Sequence, residues 1–304
     1  MTQEASTRQG VLLALAAYTM WGIAPIYFRA LEQVPALEVV SHRIIWSLIL
    51  LIVLISCGRN WGYIRQLLRQ PKQMAILFVS ACIIGVNWLV FIWAVNHGHM
   101  IDASLGYFIN PLVNVVLGML FLGERLRPWQ WGAVALAATG VSLELYQFGS
   151  LPWVALVLAC SFGIYGLLRK KVNLGAQSGL FIETLVLFPV ALGYLALFAN
   201  SPTSDLSQNS WTLNLLLLSA GLITMLPLLC FTAAATRLPL STLGFFQYIG
   251  PSLMFMLAIL VYNEPFSLSK GFTFVFIWAA LLVFSLDALR QHKRMRKAKR
   301  ALSQ

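Results

Sequence analysis

Charged residues are scarce in this chain of 304 residues. Only 10% of them are Asp, Glu, Lys or Arg, whereas 59% are hydrophobic, and the mean hydropathy is +0.79. Soluble domains have about 25% charged residues, so this composition excludes a soluble globular protein and predicts an integral membrane protein. Basic residues outnumber acidic ones by 21 to 10. Long apolar stretches separate them, so they form no continuous basic face for nucleic acid.

Residues that bind metals or perform catalysis are equally sparse. The four cysteines show no CxxC spacing and fall in or at the edge of apolar runs, which is typical of buried, unpaired thiols. The four histidines form no HExxH motif, and no Ser/His/Asp grouping or pair of aspartates in adjacent apolar segments is present. We therefore expect no metal, no cofactor and no enzyme active site.

Ten apolar segments approach the length of about 20 residues that a helix needs to cross a bilayer. They are residues 11–30, 37–57, 74–95, 103–122, 129–146, 151–168, 178–198, 212–234, 241–261 and 269–288. The longest connections, 58–73 and 199–211, are too short for a soluble domain. The first segment is interpreted as a retained span, because it lacks a strongly basic leader and a clear cleavage site.

The distribution of basic residues predicts the orientation of these segments. If the N-terminus is cytoplasmic, 18 of the 21 basic residues fall on the inner side, as the positive-inside rule requires. Both termini are then cytoplasmic. Seven of these basic residues lie in the C-terminal tail, residues 290–304, which either binds anionic lipid or serves only as a topology anchor.

The stretch ASLGYFINP at residues 103–111 has a near copy 140 residues later, where Pro251 aligns with Pro111. With a shift of 141, Gly22 in the first segment aligns with Gly163 in the sixth. We therefore predict two copies of five helices, residues 1–147 and 148–289. Five is an odd number, so the second copy enters the membrane from the opposite side. The predicted fold is all-α, with ten transmembrane helices in two inverted five-helix repeats, a design that recurs in secondary transporters.

Several motifs add a specific resemblance that extends over almost the whole chain. They are a WG pair in the first segment, GYFxNP and QYxGP in the fourth and ninth, and LGER and NEP after these. In these motifs the chain resembles the EamA family of the drug/metabolite transporter superfamily. The resemblance implies a permease in a bacterial inner membrane that exports a small organic metabolite or drug-like compound, and leaves the identity of that solute open. Protons or an exchanged solute are candidate coupling partners. The alternative is a non-transporting membrane sensor or assembly protein.

Prolines and amides in the repeated stretch form the first group of candidate site residues. Pro111 and Pro251 each remove a backbone hydrogen bond and are expected to bend the fourth and ninth segments. In one interpretation a central cavity is lined by neighbouring polar residues, namely Tyr107, Asn110, Asn114, Gln247 and Tyr248. In the other, the bends only improve close helix packing at nearby glycines. Both interpretations remain open.

Charged residues within the apolar segments form the second group. Arg43 in the second segment and Glu183 in the seventh are related by the 140-residue shift, and His42 precedes Arg43. Charges inside a bilayer are costly and usually face protein or water. Arg43 and Glu183 are candidates to pair or to gate a pathway, and Glu183 or His42 to take up a proton. A structural ion pair or snorkelling toward the headgroups is the alternative.

The remaining candidates are less specific. Trp21 lies within the first segment and offers an aromatic surface for a solute, although membrane proteins also use aromatic residues as interfacial anchors. Asn87 is either part of a cavity wall or a donor in an interhelical hydrogen bond. Glu124 and Glu264 precede the fifth and tenth segments, where a carboxylate is expected to accept hydrogen bonds from first-turn amides.

Overall fold

The chain folds into helices whose order follows the predicted apolar segments. The computed structural model describes residues 3–96, 100–148, 153–261, 275–276, 278–287 and 290, and these residues include no β-strand. The helices are α1 (Gln3–Arg29), α2 (Ala36–Cys57), α3 (Trp61–Leu68), α4 (Pro71–Asn96), α5 (Met100–Leu122), α6 (Pro128–Phe148), α7 (Trp153–Val172), α8 (Ala176–Leu197), α9 (Trp211–Ala235), α10 (Leu240–Gln247) and α11 (Ile249–Leu260). A shorter apolar helix follows at Trp278–Asp287.

Six of these helices contain stretches long and apolar enough to cross a membrane. They are Ala5–Arg29, Ala36–Cys57, Pro71–Phe91, Trp153–Val172, Ala176–Leu197 and Trp211–Ala235. Many large apolar side chains on these helices are exposed on the protein surface, such as Val53, Val190 and Leu215. An apolar surface of this kind matches lipid rather than water. The structure is therefore that of a multi-pass membrane protein.

The helices differ from the predicted segments in three main ways. The short amphipathic helix α3 lies in the predicted connection 58–73. The sixth predicted segment ends at residue 168, but α7 continues to Val172. Asn173, with a φ of 48°, then leaves the right-handed helical region. The ninth predicted segment consists of two helices, α10 and α11, separated at Tyr248.

The two repeated prolines have different effects on the helix that contains them. Pro111 lies inside α5, which continues without interruption from Met100 to Leu122. Pro251 is the third residue of α11, and the helical run is broken three residues before it. Proline cannot donate the hydrogen bond that would be accepted by Gln247, four residues earlier, which weakens the helix at the break. The helix is thus continuous across Pro111 and interrupted beside Pro251, and the bends expected at both prolines stay predictions.

Helices of residues 1–147 pack mainly against helices of residues 148–289. In this arrangement α1 contacts α9 and α11, α2 contacts α8 and α9, α4 contacts α7 and α8, and α5 contacts α7 and α10. Glycines permit the closest approaches. A Cβ atom at Gly221 of α9 would clash with the backbone of Trp46 and Ser47 in α2, and one at Gly244 of α10 would press on Pro111. Small residues at such crossings let membrane helices approach closely.

Candidate substrate site

Arg43 lies near the start of α2 and follows the polar residues Ser41 and His42. It is the eighth residue after the helix begins at Ala36, which places it about 10 Å along the axis at 1.5 Å per residue. Its side chain is partly exposed, whereas its neighbours His42 and Ile44 are buried. A guanidinium remains charged at physiological pH, so this position holds a fixed positive charge within a membrane-spanning helix.

Three helices other than α2 supply the contacts of this guanidinium. Arg43 Nε donates a hydrogen bond of 2.7 Å to Thr224 Oγ1 of α9. The guanidinium carbon lies 5.0 Å from the ring centroid of Trp88 in α4 and 5.5 Å from that of Phe28 in α1. Both distances are within the range of a cation–π interaction. We call Arg43, Phe28, Trp88 and Thr224 the Arg43 site.

The Arg43 site contains a positive charge without a negative partner. Among the residues that the structure describes, no carboxylate lies within 4.0 Å of the guanidinium nitrogens. The hydroxyl and the two rings are neutral, so the cation is hydrogen-bonded and stacked but not neutralised. An ionised group inside a membrane protein is costly when it is left in that condition.

Glu183, the residue related to Arg43 by the repeat, lies in a different environment. Glu183 Oε1 is 3.7 Å from Arg169 Nη1 of α7 and accepts a hydrogen bond of 2.6 Å from Ser80 Oγ of α4. Tyr165 OH donates to Glu183 Oε2 over 3.4 Å. All four residues are buried. We call Arg169, Glu183, Ser80 and Tyr165 the buried ion-pair cluster.

The predicted pairing of Arg43 with Glu183 is therefore wrong. The helices α7 and α8 are joined by only three residues, so Arg169 near the end of α7 and Glu183 near the start of α8 lie at the same end of the helix pair. This short connection gives Glu183 a nearer partner than Arg43. The buried carboxylate of Glu183 already has an ion-pair partner and two hydroxyl donors. It therefore has little capacity left to bind a solute in this conformation.

The repeated stretch brings three amide side chains together between α5, α7 and α10. Asn110 Nδ2 donates to Ala159 O over 2.5 Å, and Asn114 Nδ2 donates to Asn110 Oδ1 over 3.0 Å and to Gln247 Oε1 over 3.3 Å. All three amides are buried. Asn114 Oδ1 has no hydrogen-bond partner among the described residues. The amides thus join the two halves of the chain by close contact in this conformation.

Tyr107 and Tyr248, expected near the same cavity, lie on different sides of this contact. Tyr248 is fully buried, and its hydroxyl donates to Phe108 O over 3.3 Å. Tyr107 is only partly buried and packs edge-on against Phe91, with ring centroids 5.9 Å apart. Its phenol lies within electrostatic range of Arg43. The structure therefore associates Tyr107 with the Arg43 site and Tyr248 with the amide contact.

Two further predicted residues make contacts within the bundle. His42 is buried, and its Nδ1 accepts a hydrogen bond of 3.2 Å from Trp46 Nε1, one turn along α2. Asn87 Nδ2 donates to Leu158 O over 3.1 Å and to Ser161 Oγ over 2.8 Å, which joins α4 to α7. His42 and Asn87 both have protein partners in this conformation.

Trp21 lies in an aromatic cluster between the halves. Its ring centroid is 5.6 Å from that of Phe162 in α7 and 5.7 Å from that of Phe231 in α9. Tyr165 of the buried ion-pair cluster stacks on Phe231 at 6.0 Å. This aromatic cluster contacts the buried ion-pair cluster through Tyr165.

Glu124 caps a helix, but a different one from the helix predicted. Gly123, with φ of 64°, ends α5, and Glu124 N–H bonds back to Gly118 O over 3.0 Å. The carboxylate then reaches the start of α10, where it accepts from Leu240 N–H at 2.6 Å and from Ser241 N–H at 3.0 Å and Oγ at 2.6 Å. The turn at Gly123 directs Glu124 away from α6, the helix that the sequence suggested it would cap.

Lys170 strengthens this link between the halves. Its Nζ lies 3.5 Å from Glu124 Oε1 and also donates to Leu238 O. We call Glu124, Lys170, Leu240 and Ser241 the Glu124 latch. Glu264, the repeat counterpart of Glu124, lies outside the described residues, as does the basic tail beyond residue 290.

Comparison with known proteins identifies the family. The EamA-like transporter family matches residues 8–146. A protein named "Uncharacterized transporter" from Vibrio cholerae serotype O1 is 60% identical over 97% of this chain and 98% of its own length. Protein RarD of Escherichia coli strain K12 is 59% identical over 96% of this chain and 98% of its own length. The chain belongs to the EamA family, with the RarD proteins.

Membership of the EamA family makes the chain a bacterial membrane transporter of the drug/metabolite type rather than an enzyme. The fold agrees with a solved crystal structure that is 18% identical, covers 92% of this chain and 97% of its own chain, and superimposes with a TM-score of 0.69. The Arg43 site and the buried ion-pair cluster are therefore features of an EamA-type helix bundle.

Sequence reasoning missed part of both charged sites of this EamA protein. Arg169 lies just beyond the sixth predicted segment, beside Lys170 and Lys171, but it is four residues after Tyr165 and so on the same helical face. That spacing would have indicated an inward-facing Arg169. Thr224 and Phe28 carry no comparable signal, because they reach Arg43 only through the packing of α9 and α1 on α2.

Proposed function

We propose that this protein is a secondary transporter that moves a small organic metabolite or drug-like compound across the bacterial inner membrane by alternating access, in the direction of export. One observation carries the proposal. The Arg43 site holds an unpaired charge within the membrane region and is built from both halves of the chain, with Phe28 and Trp88 from the first and Thr224 from the second. A site between two halves that move relative to each other is what alternating access requires.

The proposal includes two inverted repeats of five helices, residues 1–147 and 148–289, followed by a cytoplasmic tail at 290–304. Paired contacts support it. A Cβ at Gly22 would press on Leu253, and one at the repeat-related Gly163 would press on Val113, which is the counterpart of Leu253. The contacts of α1 with α9 and of α7 with α4 are related in the same way.

The predicted orientation assigns the Glu124 latch and the Arg43 site to opposite sides of the membrane. With both termini cytoplasmic, the Glu124 latch lies at the inner end of the bundle, because Arg125 and Arg127 follow it directly. The Arg43 site then lies in the outer half, where α2 begins. We infer that this conformation is closed toward the cytoplasm and holds Arg43 accessible from outside.

Transport would require the inner end to open. Opening separates Glu124 from the start of α10, and the same movement must release the amide contact between Asn114 and Gln247. The break between α10 and α11 at Tyr248 lets α10 move without carrying the whole of the ninth segment. The Arg43 site would then face the cytoplasm and bind solute there, and the return to the present state would release the solute outside.

A reversible disulfide between the halves tests this mechanism. A Cβ at Gly10 of α1 would lie 2.9 Å from Arg237 Cβ, below the 3.5–4.5 Å typical of a disulfide, so the two atoms must move apart by about 0.6 Å to form one. The variant Gly10→Cys with Arg237→Cys, made after replacing the four native cysteines, should form a disulfide that holds the inner end closed. Vesicles containing the parent and loaded with a mixture of small organic solutes should lose particular solutes, as measured by mass spectrometry. Oxidation of the double variant should stop that loss, and reduction should restore it.

The two single-cysteine variants are the matched controls, because they carry the same substitutions without the crosslink. Undiminished loss of solute from fully crosslinked protein would contradict alternating access at this interface. Failure of folded parent protein to release any solute would instead favour the sensor or assembly role. Repeating the assay with and without an imposed pH gradient tests proton coupling, which predicts that the gradient changes the rate or the accumulation.

A further inference from the structure

The guanidinium of Arg43 makes one hydrogen bond to the described residues, through its Nε. Its Nε is occupied by Thr224, but no described carboxylate reaches the two terminal nitrogens. These nitrogens carry four of the five N–H donors of a guanidinium, in the planar fork that matches carboxylate, sulfonate and phosphate oxygens. The group is partly exposed, so an incoming ligand can reach it.

The chain does supply a counter-ion where a charge has only a structural role. At the buried ion-pair cluster, Glu183 faces Arg169 directly and Ser80 satisfies the same carboxylate oxygen. Arg43 has the corresponding position in the other half and lacks any such partner among the described residues. A ligand that brings its own negative charge would complete this site in the way that Glu183 completes the other.

The rest of the Arg43 site defines the other part of the ligand. Trp88 and Phe28 place two aromatic rings about the cation, at 5.0 and 5.5 Å from the guanidinium carbon. Tyr107 adds a third aromatic side chain that is only partly buried. Flat apolar groups pack well on such rings, with the polar group of the ligand left to meet the charge.

We propose that the Arg43 site binds organic anions that combine one negatively charged head group with a flat apolar body. The head group binds the terminal nitrogens of Arg43, and the apolar body packs against Trp88 and its aromatic neighbours. This inference rests on the proposed transport function for its biological meaning, but the binding itself does not depend on transport.

Permanently charged probes and their neutral isosteres test the proposal. The apparent melting temperature of the purified protein is measured with naphthalene-2-sulfonate and with naphthalene-2-sulfonamide, which differ in charge and share the ring. The sulfonate should raise the melting temperature in a dose-dependent manner, because a ligand of the native state stabilises it, and the sulfonamide should not. Naphthalene-2-carboxylate and naphthyl phosphate extend the test to the other anionic head groups, and methanesulfonate tests the need for a ring.

Variants at Arg43 assign the effect to this site. Arg43→Gln should weaken the affinity for the aryl anions by about 10- to 100-fold, the loss expected for a charged hydrogen bond, while Arg43→Lys should retain part of it. Arg65→Gln, on α3 outside the site, is the matched control and should leave the affinity unchanged. Equal responses to the sulfonate and the sulfonamide, an undiminished response in Arg43→Gln, or no response to any of the three aryl anions would overturn the proposal.

The vesicle assay separates this inference from the proposed function. Binding of aryl anions through Arg43 without any release of solute by the parent would support the site and contradict transport. Release of neutral or cationic solutes that is indifferent to Arg43→Gln would support transport and overturn the anion site.

Discussion

Arg43 and Glu183 are related by the 140-residue shift of the proposed repeat, yet Glu183 is buried in an ion pair and Arg43 has no carboxylate partner among the described residues. Each is the eighth residue of its helix, α2 or α8, and each receives a hydrogen bond or donates one to a hydroxyl of the opposite half. Glu183 is buried against Arg169, whereas Arg43 is partly exposed between aromatic rings. The comparison teaches that a charge in a membrane helix indicates function only when its partners are known.

A single pair of residues explains the difference. With the shift of 141 that relates α1 to α7, Arg169 corresponds to Phe28. The contact that is an ion pair in one half is therefore a cation–π contact in the other. An ion pair satisfies both charges, whereas an aromatic face only moderates one. We infer that the second copy uses this position for structure and the first keeps it for a ligand.

The largest effect is expected from removing one charge of the buried ion-pair cluster. Glu183→Gln leaves Arg169 buried without a counter-ion and should lower the free energy of unfolding by about 3–5 kcal/mol. Arg43→Gln should lower it by less than about 1 kcal/mol, because Arg43 is partly exposed and has no counter-ion to leave behind. Unfolding of the purified proteins in mixed micelles measures both values.

The double variant Arg169→Met with Glu183→Leu is the control for this prediction. It removes both charges and keeps side chains of similar size, so it should recover most of the stability that the single change loses. If Glu183→Gln and Arg43→Gln lowered the free energy of unfolding equally, the proposed difference between a buried ion pair and a partly exposed cation would be contradicted.

A medium effect is expected from the two hydroxyls that reach across to the charged residues. Ser80→Ala removes a hydrogen bond to a buried carboxylate and should cost about 1.5–3 kcal/mol of unfolding free energy. Thr224→Val removes the bond to Arg43 Nε and should cost about 0.5–1.5 kcal/mol, since water can replace a hydroxyl at a partly exposed guanidinium. The same unfolding measurement compares them, and a larger loss for Thr224→Val would contradict the difference in burial.

The sequence predicted the helical membrane fold because long apolar runs separated by short polar connections leave few alternatives. It could not predict how Pro111 and Pro251 would differ, because the effect of a proline depends on whether neighbouring helices support the backbone around it. Nor could it predict the partner of Glu183. Arg169 reads as one of three basic residues at an inner helix end, and only the short turn to α8 shows that it faces inward.

The last prediction concerns the Glu124 latch, where a small loss of stability is expected to change the conformation of the protein. Glu124→Ala removes the acceptor for Leu240 and Ser241 and should weaken the closed inner end by about 1 kcal/mol, as for other helix caps. A change of that size alters the ratio of closed to open protein about fivefold. Gly166→Cys, packed between Leu240 and Phe231, should then react faster with a thiol reagent, and Phe28→Cys beside Arg43 should react more slowly. Glu124→Gln keeps one acceptor oxygen and should change both rates less. If both sites became more reactive together, the latch would be stabilising the whole fold rather than one conformation.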